Sequence, residues 1–120
     1  MNSTPKTIGV DPKGEVGKTK APMGLLPLGA LEEVAWALGD GAKKYGEWNW
    51  RATSVCSSTY LSAILRHLSA YQAHEDRAQD SGRKHLAHIV ASCLILMDAE
   101  QYGRLVEDHA PLPPAPSELH

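Results

Sequence analysis

From Leu86 to Met97 the chain reads LAHIVASCLILM, a run with one strongly polar side chain, His88. A helix that is apolar nearly all round must be surrounded by other helices. The run predicts a helix over about Arg83 to Leu105. Two shorter amphipathic helices precede it. Leu31, Val34, Ala35, Leu38, Ala42 and Tyr45 repeat at three and four, which predicts a helix over Leu28 to Tyr45. Pro27 suits its start and Gly46 its end, while Gly39 and Gly41 weaken its middle. Leu61, Ile64, Leu65 and Leu68 predict a second helix over Thr59 to Ala73, capped by Ser57, Ser58 or Thr59. Two short helices from one chain cannot cover the third. An obligate homo-oligomer is therefore expected, with the third helix near the subunit contact. No strand alternation, internal repeat or hairpin signal appears. The expected fold is all-α, a small bundle of three main helices completed by oligomerisation.

The flanks read differently. The chain has 120 residues, which fits one domain. Residues 1–24 carry Pro5, Gly9, Pro12, Gly14, Gly17 and Pro22 with few large apolar groups, and predict an irregular arm. Lys18 and Lys20 at its end read as solubilising charges or as phosphate ligands. Residues 107–120 hold four prolines and predict an extended tail, so His109 and His120 are discounted as site residues. The helical domain is then 25–106. Twelve Lys and Arg against fourteen Asp and Glu give a net charge of −2, which argues against direct nucleic-acid binding. No apolar run is long enough for a membrane span, and residues 1–20 lack the apolar core of a secretory leader. A cytoplasmic protein is expected, with Cys56 and Cys93 as free thiols and no Cys-x-x-Cys metal motif. There is no Phe, so the core must be built from Leu, Ile, Val, Ala, Trp and Tyr.

Polar groups gather around the connector between the second and third helices. His67 and His74 are seven apart, about 20° apart on one helix face, with Tyr71 between them. His85 and His88 are three apart and therefore neighbours. Glu75, Asp76 and Asp80 lie in the turn that joins the two helices. Carboxylates and imidazoles brought to one end of an antiparallel pair are the ligand types for a divalent cation. The bland alternative is a set of solvated surface groups. It fits His74 and Asp76 well and His88 poorly, because an unpartnered buried imidazole costs free energy. Glu32 and Glu33 fall in the expected first turn of the first helix. There they either complement its dipole or serve as ligand and base. Lys43 and Lys44 end that helix beside Tyr45, Asn49 and Trp50. They either complement the dipole too or hold a phosphate beside rings that stack a base. No Walker-type glycine loop is present.

The string LLPLGALEEVAWALGDGAKKYGEWNW, then LRHLSAY, then HED…DSG…HLAH, resembles the phage dATP/dGTP diphosphohydrolases of the MazZ type. These are related to the all-α MazG-like nucleotide pyrophosphohydrolases. The similarity covers roughly residues 20–100, and its specificity lies in the order of the motifs. The resemblance implies cleavage of dGTP or dATP, with GTP as a further candidate, between the α and β phosphates. The products are the monophosphate and pyrophosphate. It implies Mg²⁺ or Mn²⁺, a dimer or tetramer, and a place in phage nucleotide-pool remodelling for 2-aminoadenine DNA. The chain departs from the wider MazG pattern in having Glu32-Glu33 without a third Glu, and His85-x-x-His88 where ExxD is expected.

On that basis Glu33, Glu75 and His88 are the expected catalytic residues. The expected metal set is Glu33, His67, Glu75, Asp76, Asp80, His85 and His88. Lys43, Lys44, Tyr45, Asn49, Trp50 and Arg66 are the expected nucleotide side. Two other functions fit the same residues. One is a metal-dependent phosphohydrolase that releases phosphate or triphosphate. The other is a non-catalytic helical oligomerisation module.

Overall fold

A computed structural model describes residues 8–114 and 116. Residues 1–7 of the arm, and Ala115 and residues 117–120 of the tail, His120 among them, lie outside the described residues. Helices α1 (Pro12–Gly17), α2 (Leu28–Tyr45), α3 (Asn49–Ala52), α4 (Ser57–Gln72) and α5 (His85–Gln101) follow one another. Strands β1 (Val55–Cys56) and β2 (Leu105–Val106) pair in parallel and flank α4 and α5 in the chain.

Helix α2 has the bounds its periodicity predicts. Pro27 precedes it, and Gly46 ends it at φ +94°, ψ 148°, a backbone region almost closed to other residues. Glu32 and Glu33 fall in its second turn, not its first, so the helix dipole explains neither of them. Helix α4 begins two residues before the expected Thr59. Its N-terminal groups are served from elsewhere in the chain: Asp108 accepts from the Ser58 backbone N–H at 2.9 Å and from Ser58 Oγ at 2.8 Å. His109 Nδ1 lies 2.8 Å from Ser57 Oγ. The start of the tail is thereby docked, contrary to the expectation of a free extension from residue 107. Helix α5 is shorter than expected at both ends. Lys84 is taken by an antiparallel bridge to Arg77, and Gly103, at φ +70°, turns the chain into β2. The expected irregular arm contains α1, where Asp11 accepts from the Lys13 N–H and Pro12 opens the helix, yet α1 buries no residue. The expected loop 47–58 contains α3 and β1, each too short to leave a periodic signal.

Helix α5 packs against both α4 and α2. The core is small-residue packing: Val34 and Ala37 of α2 meet Ala87 and Ala91 of α5, with Leu38 at the edge. Among the described residues no large side chain is fully buried. Leu86, Val90, Leu94 and Met97 recur along α5 at three and four and remain exposed, as do Leu65 and Leu68 on α4. The radius of gyration is 20.5 Å, against about 14 Å for a compact chain of this length. Among the described residues no helix is long and apolar enough to cross a membrane.

Candidate active site

The connector between α4 and α5 is tightly folded, and its backbone sets the site. The Asp76 carbonyl accepts from the His85 N–H at 2.9 Å, which serves an N-terminal group of α5. The Ala78 N–H donates to the Arg83 carbonyl, and the Gly82 N–H donates back to the Ala78 carbonyl, both at 2.8 Å. Gly82 takes φ +73° to close this turn, a conformation glycine adopts without steric cost. Ala78 is buried beneath it. The consequence is that His85 and His88 face His67 of α4, with Glu75 bonded to His85 and Ser81 to His88.

His85 is the hub and is buried, with 4% of its surface exposed. Its Nε2 lies 2.7 Å from Glu75 Oε2, and its Nδ1 lies 2.8 Å from His67 Nδ1. Gln79 donates to the other oxygen of Glu75 at 3.0 Å. His67 stacks on His88, with ring centroids 4.6 Å apart and planes 9° apart. His88 Nε2 lies 2.7 Å from Ser81 Oγ, which also accepts from the Arg83 N–H at 3.1 Å. Burial pushes the pKa of His67 down, and the neighbouring His88 and His85 add to this. Burial also pushes His88 down, partly offset by Asp80 and Asp40. A backbone hydrogen bond from Ser81 holds the Asp80 carboxyl below its ordinary range. An open cleft of about 570 Å³ lies against this cluster, lined by Arg66, His67, Glu75, Ala78, Gln79, Asp80 and His85.

The remaining expected residues scatter. Glu33 reaches the connector only through Arg77, at 4.0 Å. Asp76 is exposed and pairs with Lys84 at 3.3 Å. Lys44 stands 3.8 Å from Asp80, on the rim of the cleft, whereas Lys43 and Tyr45 are exposed and line neither concavity described here. Asn49 opens α3, and its carbonyl accepts from Thr53. Trp50 faces a different concavity, a groove of about 730 Å³ walled mainly by Leu38, Ala42, Trp48, Trp50, Leu94 and Met97. The two concavities share no lining residue. The groove is the larger, and of the carboxylates on its wall, Glu47, Asp98 and Glu100, Asp98 is consumed. Asp98 accepts two bonds from Arg51, at 2.8 and 2.9 Å, and one from Trp50 Nε1 at 2.8 Å. The imidazoles, the groups suited to proton transfer near pH 7, are His67 and His85 on the polar cleft, and none lines the groove. Sequence reasoning missed Ser81 and Gln79, although both stand in the acidic connector it singled out. It also missed Asp98, the first charge after the apolar run.

The imidazoles and carboxylates do not fit a resident metal ion. Among the described residues no three His, Cys, Asp or Glu side chains are arranged to hold one. Both nitrogens of His85 are already engaged, and His88 Nε2 is bonded to Ser81.

The family model described as dATP/dGTP diphosphohydrolase, N-terminal, matches residues 10–109. The chain belongs to this family. The match takes in α2, the connector and every residue of the His67–His85–Glu75 cluster. A dATP/dGTP diphosphohydrolase of Salmonella phage PMBT28 is 31% identical over 77 residues, which make up 64% of this chain and 26% of that protein. The chain thus spans about a quarter of the length of this dATP/dGTP diphosphohydrolase relative. No solved structure matches the chain.

Proposed function

We propose that the protein hydrolyses dATP and dGTP, with GTP as a further candidate, to the monophosphate and pyrophosphate. The observation that carries this reading is the cleft against His67, His85 and Glu75, within the stretch that matches the family model. Imidazoles kept neutral by burial are suited to take a proton from water near pH 7. Arg66 on the cleft wall and Lys44 on its rim supply positive charge for a triphosphate. Mg²⁺ or Mn²⁺ remains part of the proposal in the form that accompanies a triphosphate in solution, since the described residues do not fit a protein-held ion. The proposal also includes a homo-oligomer, supported by the exposed apolar stripe of α5, and a cytoplasmic role in remodelling a phage nucleotide pool.

A second reading has its own support. The chain spans about a quarter of its relative, so this region is equally suited to be a helical binding and oligomerisation module. Incubation with each dNTP and NTP, with Mg²⁺ or Mn²⁺, followed by ion-exchange chromatography separates the two. The first reading expects dAMP or dGMP with pyrophosphate. Released phosphate or triphosphate contradicts it. Intact nucleotides, with no thermal shift from dGTP, leave the module reading.

A further inference from the structure

The hydrogen-bond donors in the cleft can be assigned one after another, starting from Glu75. An ionised carboxylate only accepts. Both oxygens of Glu75 are occupied, one by Gln79 and one by His85 Nε2. His85 Nε2 must therefore carry the proton. With His85 taken as the neutral imidazole, its other nitrogen is an acceptor. His85 Nδ1 accepts, so the proton in its 2.8 Å contact with His67 belongs to His67 Nδ1. That leaves a lone pair on His67 Nε2. Among the described residues this atom has no hydrogen-bond partner, and no buried side-chain nitrogen or oxygen lacks one. An unpartnered Nε2 on a half-buried residue is consequently open to solvent. His67 also lines the cleft. His88 differs, because its Nε2 is bonded to Ser81 Oγ.

The geometry points to His67 Nε2 as the general base of the cleft, with His85 and Glu75 as positioning residues that fix its tautomer. This rests on the hydrolytic reading above and specifies it. A water in the cleft loses a proton to His67 Nε2 as its oxygen bonds to the α-phosphorus. The bond from that phosphorus to the bridging oxygen breaks, and pyrophosphate departs with the electron pair. The proton on His67 Nδ1 can then cross to His85 Nδ1. This moves the imidazolium charge into contact with Glu75 and leaves His67 neutral.

Two measurements on the full chain test this. The first is long-range ¹⁵N–¹H NMR of the histidine rings at pH 7.5, with His67 assigned by the loss of its signals in His67→Gln. The expected result is a proton on Nδ1 and none on Nε2 of His67, with the reverse at His85. A proton on His67 Nε2 overturns the inference whatever the activity. The second is the steady-state kinetics of dGTP hydrolysis. His67→Gln should lower kcat by about 10²-fold or more with KM changed only a few-fold, and Glu75→Ala should lower kcat and redistribute the ring protons of His85. An unchanged kcat in His67→Gln overturns the base while leaving the hydrolytic reading intact. Wild-type protein that turns over no nucleotide overturns the hydrolytic reading and the base together, and the NMR alone then decides the tautomer.

Discussion

At the residue scale, titratable groups in this chain are held by specific partners, and each makes a signed prediction. Hydrogen bonds from Arg51 hold the Asp98 carboxyl below its ordinary range, and hydrogen bonds from Ser58 do the same for Asp108. A carboxyl depressed in the folded state contributes stability above the ordinary carboxylate range, near pH 4, and that contribution is lost as pH falls through its folded value. The imidazoles of His67 and His88 are depressed mainly by burial. The unfolded chain takes up their protons first, so stability is also lost as pH falls from the ordinary His range, near 6.5. Thermal melts from pH 8 to pH 3 should show a decline beginning around neutral pH and a second below about pH 4. The double variant His67→Gln/His88→Asn should flatten the first decline and keep the second. A melting temperature independent of pH between 8 and 5 in the wild type would contradict this. The sequence made the gathering of His67, His85, His88 and Glu75 legible, because spacing and a short connector bring them to one end of a helix pair. It did not reveal which nitrogen bonds to which. The Nδ1-to-Nδ1 contact depends on the packing of α4 against α5, and no spacing within one helix encodes that.

At the element scale, α2 was fully legible because its apolar spacing, Pro27 and Gly46 agree. The rest was less so. Helix α4 starts early because Asp108 caps it from some 50 positions away in sequence. Two-residue strands have no periodicity to read. Close packing of α2 and α5 depends on Ala87 and Ala91, both buried against Val34 and Ala37. Ala91→Leu inserts a larger side chain there and should cost about 1–3 kcal/mol in urea unfolding. Gly46→Ala should cost a similar ~1–3 kcal/mol for a different reason, because its backbone region is strained for any side chain. No atom within 4 Å would meet the new methyl group. If Gly46→Ala unfolds at the wild-type urea midpoint, α2 does not end as described.

At the scale of the whole molecule, the chain leaves an apolar surface that one copy does not cover. Met97 is 66% exposed and Leu65 63% exposed, and the extents of 66 × 45 × 33 Å are those of an open shape. Light scattering coupled to size exclusion should give the mass of a dimer or tetramer at micromolar concentration. Val90→Lys, on the stripe of α5, should shift it toward the monomer while α-helical content is kept. A wild-type monomer would contradict the oligomer. The apolar face of α5 was legible in the run from Leu86 to Met97, and the polar cluster in the acidic connector, whereas the shape of the cleft was not, because it depends on how the connector folds. The claim that joins the cleft to the family is that water attacks the α-phosphorus of a deoxynucleoside triphosphate. Hydrolysis of dGTP in H₂¹⁸O, followed by ³¹P NMR of the products, tests it most directly. The account expects ¹⁸O in the phosphate of dGMP and none in pyrophosphate. Label in pyrophosphate or in inorganic phosphate, or no hydrolysis at all, would contradict it.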